Sequence, residues 1–175
     1  MHAIVRNKIL VVTYILTILY ALHYAIPVYA TSSYLHQYFN TSFIGGLYVV
    51  ASIMALFASM SVAKSIKRFH TYHFTFSLVI LEILFTILFA ISKNQILLGL
   101  FFIIHHVLQI LLYVCLNIFI ESFGSHANTG SIRGLFLAIL NMGYLISPLI
   151  GGLILSNTPP EYSFSILYIV SALLL

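Results

Sequence analysis

Long apolar segments separated by short polar connectors recur along the whole of this 175-residue chain. Only 6% of the residues are charged, whereas soluble domains carry about a quarter. A chain with so few charges cannot cover itself with polar surface, so lipid has to be its solvent. Five of the segments approach the length of about 20 residues with which a helix crosses a bilayer. They run over residues 9–30, 43–63, 74–91, 96–119 and 134–155.

The hydrocarbon environment determines the secondary structure of these segments. Backbone N–H and C=O groups in lipid must be satisfied within the protein, which predicts an all-α, polytopic helical bundle. A sixth apolar stretch, residues 164–175, is too short to cross the bilayer. We expect it to be the first part of a sixth helix, with a half-inserted tail as the alternative. Residues 1–175 are then one helical domain, incomplete at its C-terminal end.

Basic residues are concentrated on one side of the predicted membrane topology. If the segments alternate in direction, six of the seven lie on the same side as the N-terminus: Arg6, Lys8, Lys64, Lys67, Arg68 and Arg133. The positive-inside rule therefore predicts a cytoplasmic N-terminus in a multi-pass protein of the cell membrane, plasma or inner. A net charge of +4 spread in this way indicates topology signals rather than a nucleic-acid surface, so the expected partner is the lipid bilayer.

The fifth segment is rich in small residues at helical spacing. The set comprises Gly134, Gly143, Ser147, Pro148, Gly151 and Gly152. At about 100° per residue, Gly143, Ser147 and Gly151 form one stripe, which lets a neighbouring backbone approach closely. The other members lie on a different side, and Pro148 favours a bend. The pattern predicts a helix packed between two partners, with tight packing alone as the alternative to a further function.

The spacing of these residues, G-x8-G-x3-S-P-x2-G-G, resembles the fifth-helix motif of the major facilitator superfamily, which has Gly at the position of Ser147. The resemblance implies the N-terminal six-helix half of a twelve-helix secondary transporter, whose missing C-terminal half is a partner and which needs no cofactor. The motif is typical of proton-coupled antiporters. Between helices two and three the family has G-x3-D-R-x-G-R. Lys67 and Arg68 keep the basic pair of that motif here, but its Asp and both Gly are absent, which leaves the coupling ion open.

Polar residues form a stripe along the fourth segment, spaced by three or four residues: His106, Gln109, Tyr113, Asn117 and Glu121. Helical spacing brings all of them to one face. The resemblance implies that helices one and four line the central cavity. We therefore interpret His106, Gln109, Tyr113 and Asn117, together with Tyr20 and His23 of the first segment, as candidate cavity-lining residues for a small-molecule solute. Hydrogen bonding between helices, without solute contact, is the alternative.

Two further sites involve carboxylates. Glu82 lies near the middle of the third segment and is a candidate for proton coupling, because ionisable groups within a membrane are costly and usually functional. The resemblance implies a peripheral third helix, which favours a structural role instead. Glu121 and Arg133 flank the connector between the fourth and fifth segments and are a candidate ion pair, with either a gating or a helix-anchoring role.

The motifs that mark enzymes and metal sites are not found in the sequence. The eight histidines are scattered, and the adjacent His105 and His106 point about 100° apart, so no metal site is expected. There is no phosphate-binding glycine loop and no motif for a catalytic nucleophile, so we expect no enzyme. The leading hypothesis is secondary active transport of a small solute by alternating access; proton-coupled efflux or antiport is one form of it, with symport and uniport left open. The alternative is a polytopic membrane scaffold or assembly protein without transport activity.

Overall fold

The computed structural model describes residues 2–122 and 129–175, with side chains for 10–66, 68–122 and 130–175. This part of the chain contains six helices and no strand. They are α1 (His2–His36), α2 (Thr41–Phe69), α3 (Thr71–Ile91), α4 (Gln95–Ser122), α5 (Thr129–Asn157) and α6 (Ser163–Leu173). The first five are long and apolar enough to cross a membrane. The predicted all-α, polytopic bundle is confirmed, and the chain is a multi-pass integral membrane protein.

The helices extend beyond the apolar segments, most clearly between α2 and α3. The basic stretch that includes Lys64 and Arg68 was expected to form a loop, and this expectation is wrong, since α2 continues to Phe69. His70 alone separates α2 from α3, with a φ of 59°, in the left-handed region. Hydropathy marks only the part of a helix that crosses lipid, whereas a polar helical extension can continue into water. The side chain of Lys67 lies outside the described residues.

Asparagine side chains cap the N-terminal ends of two helices. The Asn40 side chain accepts a hydrogen bond from the Phe43 backbone N–H, over 2.9 Å. Before α4, Asn94 Oδ1 accepts from the backbone N–H groups of Ile96 and Leu97, at 2.9 and 3.2 Å. Because the first N–H groups of a helix have no partner within the helix, these caps define where α2 and α4 start.

Three helix pairs dominate the packing: α1 against α5, α2 against α4, and α3 against α4. Helix α3 lies against α4 and α6, and α6 also contacts α1. One group of buried side chains surrounds Phe89, Phe102 and Tyr168, and a second surrounds Cys115 and Phe136. Helices α2 and α5 bury the smallest share of their surface, so their outer faces are available to lipid or to a further protein.

The helix pairs are related by an exchange of the first three helices with the last three. In this exchange α1 corresponds to α4, α2 to α5 and α3 to α6. The packed pair α1–α5 then corresponds to the packed pair α4–α2, and α3–α4 corresponds to α6–α1. In the same way, α2–α3 corresponds to α5–α6, and α1–α2 corresponds to α4–α5. The pairs α1–α4 and α3–α6 map onto themselves. Every packed pair in the described part of the chain therefore has a counterpart. Because α1 to α3 give three crossings, the second set starts from the opposite side of the membrane.

Candidate functional site

Glu82 lies in the interior of the bundle, although its helix is one that the resemblance implied to be peripheral. The side chain projects from the middle of α3 and is fully buried. An ionised carboxylate in an apolar interior is strongly unfavourable unless it is paired and hydrogen-bonded. The residues around Glu82 therefore determine whether the chain can fold with this group inside.

Two histidines from two other helices meet one oxygen of this carboxylate. His23 Nε2, from α1, lies 3.0 Å from Glu82 Oε1, and His105 Nδ1, from α4, lies 2.8 Å from the same atom. Thr86, one turn after Glu82 on α3, places its hydroxyl oxygen 3.0 Å from His105 Nδ1. We call His23, Glu82, Thr86 and His105 the Glu82 cluster. All four residues are buried.

The sixth helix closes the Glu82 cluster. His23 Nδ1 lies 2.9 Å from the backbone carbonyl oxygen of Ser171, on α6. Because a carbonyl only accepts, His23 Nδ1 carries a proton and donates it. The second carboxylate oxygen, Glu82 Oε2, is buried without a hydrogen-bond partner among the described residues. The Glu82 cluster thus joins α1, α3, α4 and α6 and has one unused acceptor.

Aromatic rings separate the Glu82 cluster from lipid. The Phe89 ring stacks on His105, with centroids 5.9 Å apart, and the Tyr168 ring meets His105 edge-on at 6.0 Å. Phe89 and Tyr168 are themselves completely buried. Tight aromatic packing of this kind keeps water away from most of the Glu82 cluster and strengthens electrostatic interactions within it.

A separate cavity of about 300 Å³ lies between α1, α4 and α5. Its lining comprises Tyr20, Ala21 and Tyr24 from α1, Ile110 and Tyr113 from α4, and Leu137, Leu140, Asn141 and Tyr144 from α5. We call it the tyrosine pocket, after its four phenol rings. Within the described part of the chain, its lining includes no charged side chain. The Tyr20 hydroxyl donates to the backbone carbonyl of Gln109, over 2.9 Å, and this bond ties α1 to α4 beside the pocket.

A smaller cavity, of about 40 Å³, lies between the tyrosine pocket and the Glu82 cluster. It shares Tyr24 with the tyrosine pocket and His105 with the Glu82 cluster, and His106 and Gln109 also line it. We call it the small cavity. A water molecule needs at least about 10–15 Å³ and two or more polar partners. The small cavity meets both requirements.

The residues predicted to line a cavity are found in different places in the structure. Tyr20 and Tyr113 line the tyrosine pocket, while His106 and Gln109 line the small cavity. His23 belongs to the Glu82 cluster, away from either cavity wall. Asn117 donates to the Tyr113 carbonyl of its own helix, over 3.2 Å.

Sequence reasoning did not select His105. It singled out the neighbouring His106, which lies on the polar stripe of α4. His105 shares its face with Leu108, Leu112 and Cys115, which are all buried. A histidine on the most apolar face of a membrane helix, in a chain with a single mid-membrane carboxylate, was the signal that could have identified it.

The small residues of α5 lie on two faces that differ in burial. Gly143, Ser147 and Gly151 are buried against α1 and its neighbours. A Cβ atom added at Gly143 would lie 2.7 Å from the Ala21 Cβ and 3.0 Å from the Ala21 backbone carbon. By contrast, Gly134 and Gly152 have no atom within 4 Å of such a Cβ. The first face packs within this chain, and the second, which also carries Pro148, is exposed.

Ser147, the one departure from the family motif on α5, has a local function. Pro148 has no N–H group, so the carbonyl of Tyr144 loses its normal helical partner. The Ser147 hydroxyl lies 3.3 Å from that carbonyl oxygen and donates to it. Serine at this position therefore replaces a hydrogen bond that a glycine would leave unmade.

Near the helix ends, Arg133 Nη1 lies 3.0 Å from Glu121 Oε1, and both side chains are about half exposed. Arg68 is exposed, with its guanidinium carbon 5.3 Å from the centre of the Phe69 ring. The gating role of the Glu121–Arg133 pair stays a prediction.

Replacing Glu121 by Gln is expected to change the free energy of unfolding by less than about 1 kcal/mol, because exposed ion pairs contribute little. Thermal unfolding of the detergent-solubilised chain measures this. A larger loss of stability would mean that the ion pair contributes substantially to the contact between α4 and α5.

The chain matches no protein-family model and no curated protein. In the part of the chain that the structure describes, no group of three or more His, Cys, Asp or Glu side chains has an arrangement suited to a metal ion. In the Glu82 cluster both imidazoles lie at hydrogen-bond distance from one carboxylate oxygen. The geometry is therefore that of a hydrogen-bonded ionisable group beside a solute-sized pocket.

Proposed function

We propose that this chain is the N-terminal half of a secondary transporter of the major facilitator type, which moves a small solute across the cell membrane by alternating access. The observation that carries the proposal is the exchange relation between the two sets of three helices. Inverted repeats of three helices within a six-helix half are the architecture from which many secondary transporters are built.

The position of the tyrosine pocket supports this proposal. In such transporters the solute site lies at the interface between repeats, near the middle of the membrane. The tyrosine pocket is formed by α1 from the first set and by α4 and α5 from the second. Its volume of about 300 Å³ is at the lower end of the usual range for small-molecule sites. Four phenol rings and one amide, without a charged group, suit a small solute with an aromatic or aliphatic body.

The exposed face of α5 supports a second bundle as the partner. Gly134, Pro148 and Gly152 lie on this face, beside the exposed Leu145 and Leu149. Small residues let a second helix approach closely within lipid. We infer that the C-terminal half of the transporter packs here and that the two halves rock against each other around the tyrosine pocket.

Uptake into proteoliposomes tests the proposal, with the product of the complete gene and a panel of radiolabelled aromatic and aliphatic solutes. We expect saturable uptake by the complete protein and none by residues 1–175 alone, because one bundle cannot alternate access. Absence of uptake for every solute, together with a stop codon directly after Leu175, would favour the scaffold alternative instead.

Replacing Tyr113 by Ala is expected to lower kcat/KM for uptake about tenfold, since a lost aromatic contact of roughly 1.4 kcal/mol corresponds to that factor. The matched control is Asn117→Ala, one turn further along α4, whose side chain bonds its own helix. We expect the control to transport at the normal rate. Equal uptake by the two variants would remove the tyrosine pocket as the solute site.

A further inference from the structure

We propose that the Glu82 cluster is a proton-binding site that exchanges its proton with the tyrosine pocket through His105 and the small cavity. This inference deepens the proposed function by naming the coupling ion. Proton binding is measured on this chain without any flux, so the two proposals fail separately. If the complete protein transports normally but neither Glu82 nor His23 changes protonation with pH, only this inference is contradicted, and the proposed function stands.

The hydrogen bonds fix how many protons the Glu82 cluster holds. His23 Nδ1 donates to the Ser171 carbonyl, so the state of His23 depends on its other nitrogen, Nε2. That nitrogen lies 3.0 Å from Glu82 Oε1, and a hydrogen bond at this distance requires one proton between the two atoms. The pair is either imidazolium with carboxylate or imidazole with carboxylic acid. In both forms its net charge is zero.

A net charge of zero explains how the group remains inside the bilayer. An isolated carboxylate there is strongly unfavourable, whereas a pair that shares one proton carries no uncompensated charge. While His105 Nδ1 carries a proton, it donates to the same oxygen over 2.8 Å, and once that proton has passed to Glu82, the Thr86 hydroxyl, 3.0 Å from Nδ1, can donate to the ring nitrogen. The two imidazoles can therefore hold the proton with Glu82 without a lysine or arginine.

Among the residues whose side chains are described, the ionisable neighbours of the Glu82 cluster are phenols and one further histidine. From α1, the ionisable neighbours are Tyr20 and Tyr24, and from α4, His106. Helix α6 presents Tyr168, whereas Tyr48 of α2 and Tyr144 of α5 line the cavities. All of these are neutral phenols apart from His106. The linings of the two cavities include no lysine, arginine or second carboxylate.

His105 provides the route for exchange. His105 Nδ1 lies 2.8 Å from Glu82 Oε1, and His105 also lines the small cavity, which shares the lining residue Tyr24 with the tyrosine pocket. During uptake, a hydronium ion in the small cavity gives a proton to His105 Nε2, and the proton on His105 Nδ1 passes to Glu82 Oε1, which shares it with His23 Nε2. One O–H bond of hydronium and the Nδ1–H bond break, while an N–H bond at Nε2 and an O–H bond at Glu82 form, and neutral water is left in the cavity. Release is the reverse.

Infrared difference spectroscopy of the chain in lipid vesicles, titrated between about pH 4 and pH 9, tests this inference. The carbonyl stretch of a carboxylic acid distinguishes protonated from ionised Glu. The chain has only three acidic side chains, so each can be replaced in turn: Glu82→Gln, Glu121→Gln and Glu161→Gln. We expect Glu82→Gln to lose a pH-dependent proton that the other two variants keep. Spectral changes that are identical in all three variants would overturn the proposal.

A measurement on the unaltered chain covers the case in which Glu82→Gln does not fold. With ¹⁵N-labelled histidine, solid-state NMR reports the protonation of each ring nitrogen of His23 and His105. We expect His23 Nε2 to change protonation in the same step as the carboxyl group of Glu82, and His73, which lies exposed on α3, serves as the reference signal. If neither His23 nor Glu82 changes across the titration, the Glu82 cluster is a fixed structural bond and the proposal is wrong.

Discussion

Replacing Glu82 by Ala is expected to lower the free energy of unfolding by about 3 kcal/mol. Removing one member of a buried charged or hydrogen-bonded group leaves its partners unpaired in an apolar interior. His23 and His105 would both lose the oxygen that they share, and four helices meet at that point. Unfolding of the chain in mixed micelles, followed by circular dichroism, gives the difference.

Glu82→Gln is expected to have an intermediate effect. Its amide oxygen can still accept a bond from His105, but a neutral His23 then presents an unprotonated Nε2 with no donor opposite it. An unsatisfied buried acceptor costs about 1–3 kcal/mol. Glu121→Ala, at an exposed carboxylate, is the matched control and is expected to unfold like the native chain. Equal stability of the Glu82 and Glu121 variants would mean that the Glu82 cluster does not hold the helices together.

Replacing Gly143 by Ala is expected to lower the free energy of unfolding by about 1–3 kcal/mol through overpacking. The new methyl group would lie 2.7 Å from the Ala21 Cβ and 3.0 Å from the Ala21 backbone carbon. Backbone cannot move aside as a flexible side chain does, so α1 and α5 would have to separate along their long contact. The loss is measured by thermal unfolding of the purified chain.

The controls for this prediction lie on the same helix. Gly134→Ala and Gly152→Ala introduce the same methyl group where no atom lies within 4 Å. Because alanine is the better helix former, neither variant should destabilise the isolated chain. If all three substitutions had the same effect, it would reflect helix propensity, and the close approach of α1 to α5 would not be the reason for glycine at position 143.

The two control variants, Gly134→Ala and Gly152→Ala, also test the proposed contact between the two halves of the complete transporter. The proposed C-terminal half packs on the face that carries Gly134 and Gly152, so these alanines should be neutral in this chain and harmful in the complete protein. For each variant, the stability of residues 1–175 reports packing within this bundle, and uptake by the complete protein reports packing between the two bundles.

The small-residue pattern of α5 could be interpreted from the sequence alone, because all of its residues lie on one helix and helical geometry determines which of them share a face. Gly143, Ser147 and Gly151 share a face by geometry alone, and the structure buries that face. Which helix covers it does not follow from spacing. The answer, α1 at Ala21, depends on how two distant segments are rotated against each other.

The histidines illustrate the limit of sequence reasoning more directly. His105 and His106 are adjacent in sequence and chemically identical, and the polar stripe of α4 favoured His106. Only His105 faces Glu82, because in the packed bundle the side of α4 that carries His105 lies against α3. Likewise, nothing in the separate segments indicates that residues 23 and 82 lie within hydrogen-bond distance.

The sequence by itself determined the solvent, the secondary structure and the number of long spans, because hydropathy and backbone hydrogen bonding act locally within each segment. It also identified Glu82 as unusual, since a carboxylate in the middle of an apolar run is costly wherever it points. The tertiary structure alone decided that two imidazoles, one of them bonded to a backbone carbonyl of α6, compensate this group near a tyrosine-lined pocket. These contacts join residues far apart in the chain, and their free energy is gained only when the helices pack.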